Sequence, residues 1–438
     1  MNAPPSVPLP KPAQTLRFLV RPIPFMEHWR RKLGETFHAS LYGPGEVVFV
    51  SSPESVKAIF SRDRVNTIAG GRNIILGPLL GPGSLLLQEG QEHMRRRKLM
   101  LPPFHGERMR AYEEAIEEVT RSAIAGWREG ETFPLHPTMQ EITLEVILRA
   151  VFGVSDGKRH DELSDGLTEI LAATATPKAV GLLVPGLRDS PPYRRLRWLI
   201  DRVDDLLASE ISERRLDPAI GERDDILSML VQARFDDGSE MSDAEVRDQL
   251  MTLLLAGHET TATGLAWAFD LLFRHPEQLV RLTEEVRSGD DHTYLDAVID
   301  ETLRVRPVVP FTGRELREPT TLDGFDYGPG QVILVAIWLT HTRPDLYPDP
   351  FEFRPQRFLE ASTETYSWVP FGGGTRRCIG AAFAELEMRV ALRTILRECD
   401  LEPGSNAPER PIRRNVTMSP AGGTPAVMRR RAADLVPS

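Results

Sequence analysis

The chain has 438 residues, enough for a large core, and its 41% hydrophobic and 26% charged residues are the proportions of an ordinary globular protein. A net charge of −10 disfavours non-specific nucleic-acid binding. The two cysteines, Cys378 and Cys399, lie far apart and outside any CxxC pair, which argues against a disulfide scaffold or a cysteine zinc site.

Residues 1–15 are proline-rich and read as a flexible extended leader without an apolar signal-peptide core. Residues 16–438 are expected to form a single domain. A helix is predicted over Phe25–Leu33, a strand over Glu46–Ser51 and a loop from Gly70 to Gly83. Helical patterning runs from Gly90 to Gly153, with a break at Pro102-Pro103. Residues 177–192, with AVGLLVPGL between prolines, read as a flexible apolar connection between helices. Ser242-Asp243-Ala244-Glu245 is a capping-box pattern. It opens a long helix in which Leu250, Leu253, Leu254, Gly257, Thr261, Gly264 and Leu265 recur at helical spacing up to about Arg274. Another helix ends near Val305, residues 311–336 read as strands and turns, and a last long helix follows Cys378. No stretch reaches the roughly 18 apolar residues of a membrane span. Helices dominate and no regular βαβ alternation is present, so the class is mainly α with minor β.

The densest chemical signal is FGGGTRRCIG, Phe371 to Gly380. Glycines such as Gly372 let a backbone approach a flat ligand closely. A helix predicted to start just beyond Cys378 favours a thiolate there. A thiolate is the ligand that pushes electron density onto haem iron and favours O–O cleavage. Phe371 can pack on the sulfur side, and Arg376 can meet a propionate. The segment resembles the haem-binding pattern F-x-x-G-x-R-x-C-x-G of the cytochrome P-450 family, with Phe371, Gly374, Arg376, Cys378 and Gly380 at the specified positions.

The second segment is AGHETT, Ala256 to Thr261, inside the long apolar helix. A carboxylate in a buried helix needs a reason, and glycine and paired threonines weaken the helix locally. Activating dioxygen requires two protons, which an acid and an alcohol can deliver or organise. The resemblance implies that Glu259 is the acid and Thr260 the alcohol, with Ala256 and Gly257 flanking the oxygen pocket. His258 is expected to be structural or solvent-facing, and Cys399 a buried hydrophobe.

Glu301 and Arg304 stand at i, i+3 on one helix face. The resemblance makes them an E-x-x-R pair completed by Arg357 from FRPQRF, stabilising the cysteine-loop region. His93 and Arg97 match the family's propionate-binding segment, with Arg314 and Arg376 as further candidates. Arg95, Arg96, Lys98, Arg377 and Arg389 are expected to form a basic patch for an acidic electron donor.

The motifs follow family order, and the resemblance covers nearly the whole chain. It implies a prism-shaped cytochrome P-450 fold with haem b (iron protoporphyrin IX) between the long central helix and the cysteine-loop helix. The expected activity is insertion of one oxygen atom from O2 into a lipophilic small molecule, by hydroxylation or epoxidation. Electrons would come from a separate ferredoxin or flavodoxin with its reductase. A cytoplasmic monomer is expected. By resemblance the pocket is lined from residues 66–87, 170–190, 250–261, 307–313 and 418–424, with Leu85, Leu86, Leu171, Leu182, Leu254, Val308, Val309, Phe311 and Met418 as candidates. The competing readings are a haem-thiolate peroxygenase or isomerase, which would need no reductase, and a non-enzymatic haem sensor. The Glu259–Thr260 pair argues against both.

Overall fold

The computed structural model describes residues 3–431 except 63–66, 69–76, 105, 107, 154–156, 175–189, 290 and 362–363. Helices α1 (Lys11–Val20) and α2 (Pro22–Leu33) open the chain and are separated at Arg21, where Pro22 lacks the N–H needed to extend α1. They cover the hairpin β1 (Phe37–Leu41) and β2 (Gly45–Val50). The N-terminal segment is not the extended leader expected from its prolines. The Val7 N–H donates to the His38 carbonyl at 2.9 Å, Gln14 and Thr15 are buried, and Lys11 already begins α1.

Helix α3 (Pro53–Ser61) is capped by the Ser52 hydroxyl, which accepts from the Ser55 N–H. Then come β3 (Thr67–Ile68), α4 (Gly77–Leu80), α5 (Gly90–Met100), α6 (Arg108–Ala125), β4 (Thr132–Pro134) and α7 (Leu135–Phe152). The break expected at Pro102-Pro103 is a 3-10 turn at Pro102–Phe104, and β4 interrupts the helical stretch predicted over 90–153 a second time. Helices α8 (Lys158–Thr174), α9 (Pro191–Leu216) and α10 (Ile226–Gln232) lead to α11 (Asp243–Arg274).

The α11 capping box is present in full: Ser242 Oγ accepts from the Glu245 N–H, and the Glu245 carboxylate accepts from the Ser242 N–H at 2.9 Å. At 32 residues, α11 spans ~48 Å at 1.5 Å per residue. It is buried on nearly all sides, with Leu250, Leu254, Leu265, Trp267 and Phe269 in the core, as an all-round apolar helix must be. Its long contact is with α7, and it also packs on α9, α13 and α16.

Helices α12 (Pro276–Ser288) and α13 (Thr293–Val305) precede β5 (Thr312–Leu316), β6 (Thr320–Leu322), β7 (Phe325–Tyr327) and β8 (Val332–Val335). Short helices α14 (Ile337–His341) and α15 (Arg357–Glu360) lead through irregular chain to α16 (Ala381–Glu398). The chain closes with β9 (Cys399–Pro403), β10 (Pro411–Arg414), β11 (Thr417–Pro420) and β12 (Pro425–Arg430). The largest sheet has the order β1-β2-β8-β5-β3, in which β2 and β8 run parallel with Val47 opposite Val332. A three-stranded sheet β4-β12-β9 and the pairs β10-β11 and β6-β7 complete the minor β component.

Candidate active site

The cysteine loop is held by its own backbone. The Cys378 N–H donates to the Phe371 carbonyl at 2.9 Å, and the Gly372 N–H to the Val369 carbonyl at 2.9 Å. Gly372 has φ 68° and Gly374 φ 67°, left-handed values that disfavour a side chain. Gly373 is required for a different reason. A Cβ there would stand 2.3 Å from the buried Phe60 ring. Gly380 caps α16, and nothing lies within 4 Å of the Cβ position at Gly372 or at Gly380.

Cys378 is accessible, yet the surrounding protein desolvates its thiol and raises its pKa; the Gly380 N–H, Arg377 and Arg97 pull the other way. The helix start therefore does not by itself favour a thiolate, because desolvation outweighs it. A metal cation at the sulfur would supply the missing charge. Cys399 is buried, at the start of β9.

Four basic groups gather beside the cysteine loop. His93 is buried on α5, and its pKa is lowered to about 3 by desolvation and then by the charges of Arg376, Arg97 and Arg314. Arg97 in turn feels Cys378. Arg314 projects from β5, donates to the Gly313 carbonyl at 2.9 Å and to the Gly373 carbonyl at 3.3 Å, and lies 5.3 Å from the Phe60 ring centroid. Arg376 donates to the Leu85 carbonyl at 3.4 Å and to the Gln88 carbonyl. The four residues singled out from sequence as propionate partners are thus brought together.

On α11, Ala256 is exposed and Gly257 and Thr260 are half-buried, in a helix otherwise packed into the core. The Thr260 hydroxyl donates to the Ala256 carbonyl at 2.8 Å. Glu259 is buried and turned elsewhere: Gln140 Nε2 of α7 donates to its carboxylate, and Arg414 of β10 lies 4.0 Å away. Burial raises its pKa, against the opposing effects of Arg414 and Gln140. His258 is buried and structural, with Nδ1 3.0 Å from the Leu254 carbonyl oxygen.

Glu301 and Arg304 pair through both carboxylate oxygens, at 2.7 and 2.8 Å, and Arg357 Nε donates to Glu301 at 3.0 Å. Arg304 also donates to the His341 and Pro350 carbonyls, each at 2.8 Å. His341 Nε2 accepts from the Val369 N–H at 2.9 Å, two residues before Phe371. The triad is thereby connected to the cysteine loop.

The expected basic patch is largely neutralised. Arg95 pairs with Asp237, Lys98 with Asp236, Arg96 with Glu92 and Glu245, and Arg389 with Asp296. Arg377 is exposed, 5.9 Å from the Phe371 ring centroid.

Of the pocket candidates, Leu85, Leu254, Val308 and Met418 are buried, while Leu171, Val309 and Phe311 are half-buried and Leu86 is exposed. The Met418 N–H donates to the Val308 carbonyl at 2.8 Å, which brings two of the predicted segments together. Leu85 is tied to α11 through its N–H, which donates to Gln249 Oε1 at 3.0 Å. Leu254 has no exposure and belongs to the core under α11. Leu182 lies outside the described residues.

One buried acid carried no sequence signal. Glu387 on α16 is fully enclosed, its pKa is pushed up to about 8 by burial, and neither carboxyl oxygen has a hydrogen-bond partner among the described residues. The Thr261 hydroxyl of α11, which donates to the Gly257 carbonyl at 3.1 Å, acts on that pKa in the opposite direction.

Residues 5–425 match the family described as Cytochrome P450. The chain belongs to the cytochrome P450 family. It is 42% identical over 429 residues to cytochrome P450 135B1 of Mycobacterium tuberculosis, covering 97% of this chain and 90% of that protein. It is 40% identical to cytochrome P450 138 of the same species, covering 98% and 97%. A structure described as retinoic acid bound cyanobacterial CYP120A1 superposes with a TM-score of 0.85 at 26% identity, covering 98% and 100% of the two chains. The haem domain of cytochrome P450DA superposes equally well, at 0.85, and at 23% identity shows the shared fold alone.

The P450 fold expected from the sequence is therefore present, and the protein is a P450 monooxygenase. The family uses haem, O2 and electrons from a redox partner. The residues present fit that cofactor: an accessible sulfur, a group of guanidinium side chains suited to carboxylates, and a cysteine loop whose Gly372 and Gly380 leave open space where side chains would stand.

Proposed function

We propose that this P450 inserts one oxygen atom from O2 into a lipophilic small molecule, with Cys378 as proximal ligand of haem b. The observation that carries the proposal is the gathering of Arg97, Arg314 and Arg376 around the buried His93, with Arg97 also within the field of Cys378. Guanidinium groups so placed suit two propionates. When bound, haem supplies the oxygen-activating chemistry. Thr260 spends its own hydrogen on the Ala256 carbonyl, so its oxygen is left as an acceptor on the accessible side of α11. Glu259, whose pKa is raised, holds a proton more readily than an ordinary carboxylate, and we assign it the acid role from its position facing Gln140 and Arg414.

The half-buried Val309 and Phe311, with the neighbouring Val308 and Met418, give the apolar surface for a lipophilic substrate. Electrons would come from a separate ferredoxin or flavodoxin with its reductase, and the exposed Arg377 offers such a donor a positive charge. No helix among the described residues is long and apolar enough to cross a membrane.

The test is turnover of a panel of lipophilic compounds under ¹⁸O2 with NADPH, ferredoxin and ferredoxin reductase. One labelled oxygen per product molecule is expected. Unlabelled product, or product formed with peroxide but never with the reductase system, would contradict the proposal and favour the peroxygenase reading.

A further inference from the structure

Helix α1 carries its polarity the wrong way round for a surface helix. Its inward face is largely polar. Gln14 Nε2 donates to the Leu9 carbonyl at 2.7 Å, and Gln14 Oε1 accepts from the Ser40 N–H at 2.8 Å. Thr15 Oγ1 accepts from the Tyr42 N–H at 2.9 Å. With Phe18, these are the buried residues of the helix, and their hydrogen bonds fix its rotation. Pro12, Leu16, Leu19 and Val20, at i, i+4, i+7 and i+8, are therefore turned to solvent; Leu16 is 64%, Leu19 41% and Val20 62% exposed. Tyr42, 61% exposed, stands beside them, with Lys11 Nζ 5.4 Å from its ring centroid.

Cations predominate in the segment that carries this apolar face, with Arg30 turned inward to the Leu339 and Thr342 carbonyls. Residues 11–32 hold Lys11, Arg17, Arg21, Arg30, Arg31 and Lys32 against Glu27 alone, in a chain of net charge −10. The carboxylate of Glu27 accepts from Trp338 Nε1 at 3.0 Å. On the neighbouring hairpin, Glu46 is engaged by His38 and Ser40. The exposed His28 has a lowered pKa, from desolvation and then from Lys32, Arg31 and Arg17.

We infer that α1 and Tyr42 form a docking surface for an anionic lipid bilayer, with Leu16, Leu19 and Val20 inserted among the acyl chains and Lys11, Arg17 and Arg21 at the headgroups. An apolar face bordered by cations and an interfacial aromatic is the composition that suits a helix lying in the plane of such a surface. A second copy fits less well. Two-fold pairing would set Arg17 and Arg21 against their own equivalents, and a single short helix face falls well below the roughly 800 Å² per partner of a stable interface. On the inner side of α1, the Phe18 and Phe311 ring centroids are 5.0 Å apart, so the docked face is one side-chain layer from Phe311. The inference goes beyond the monooxygenase proposal and does not rest on it.

The test is co-sedimentation of the full-length haem-loaded protein with vesicles of phosphatidylcholine alone or mixed with phosphatidylglycerol. Partitioning onto the mixed vesicles, weakened by salt, is expected. Arg17→Gln should lower the partition coefficient roughly five-fold and Arg17→Gln/Arg21→Gln more than ten-fold. Leu16→Ser/Leu19→Ser should abolish partitioning while the haem spectrum and melting temperature stay unchanged. Three results would overturn the inference: no partitioning on the mixed vesicles, partitioning that these variants leave intact, or a concentration-dependent dimer, dissolved by Leu16→Ser/Leu19→Ser, in place of vesicle binding.

Discussion

Glu301 and Arg304, one turn apart on α13, form a two-bonded ion pair in which neither side chain has any solvent exposure. Arg357 and the Arg354 N–H complete the hydrogen bonding of Glu301, and Arg304 reaches the carbonyls of His341, Pro350 and Glu352. Removing one member leaves a buried charge without its partner, which costs about 3–5 kcal/mol. Arg304→Ala is therefore expected to lower stability by that amount and to reduce haem content, because the His341–Val369 hydrogen bond leads from this site to the cysteine loop. Denaturant unfolding and the haem-to-protein ratio check both effects.

The contact between Gly373 and Phe60 makes a sharper prediction. Gly373→Ala places a methyl 2.3 Å from the Phe60 ring, which itself lies beneath the Arg314 guanidinium. The expected cost is about 1–3 kcal/mol of overpacking, with lowered haem retention. Gly380→Ala, whose Cβ would meet nothing within 4 Å, should leave the apoprotein's stability nearly unchanged. Thermal unfolding of the two apoproteins separates the cases.

The buried Glu387 predicts a pH dependence. Its carboxyl is raised from 4.5 to about 8 in the folded chain, so the folded state binds its proton more tightly than the unfolded state does. That contribution to stability is complete below about pH 4.5 and is lost as pH rises towards 8. Glu387→Gln should remove this part of the slope, whatever its effect on absolute stability. Unfolding free energies of variant and wild type across this range should diverge with rising pH, in favour of the variant. Parallel curves would contradict the assignment.

Much of this architecture was legible from local pattern. The capping box at Ser242 and the strand before Ser51 depend on neighbours in sequence, and both appear where expected. The cysteine loop was readable because its glycines permit backbone conformations that side chains disfavour, and because its pattern resembles the family's haem-binding segment. What escaped depends on distant partners. The acids that neutralise Arg95 and Lys98 lie about 140 residues along the chain, so a basic run looked like a patch. Gln140 and Arg414, which hold Glu259, are equally remote in sequence. Glu387 gives no local signal, because its burial comes from packing between α16 and its neighbours. The prolines of the N-terminus suggested a loose leader, whereas hydrogen bonds to β1 hold that segment in place.

Thr260 is assigned a role in managing protons, apart from holding the cofactor. Thr260→Ala should keep the haem spectrum and the melting temperature of the wild type. Product per NADPH consumed should fall several-fold, with the missing electrons recovered as hydrogen peroxide. Full coupling in the variant, measured with a substrate that the wild type turns over, would contradict that role.

The central claim is that Cys378 is the proximal ligand of a haem. The most direct measurement is the absorption spectrum of the dithionite-reduced protein with and without carbon monoxide, for the wild type and for Cys378→His. The wild type should show the strongly red-shifted Soret band of thiolate–iron–carbonyl ligation, and the variant should lose that shift while retaining some haem. A wild-type protein without haem, or with a band typical of histidine ligation, would contradict the account.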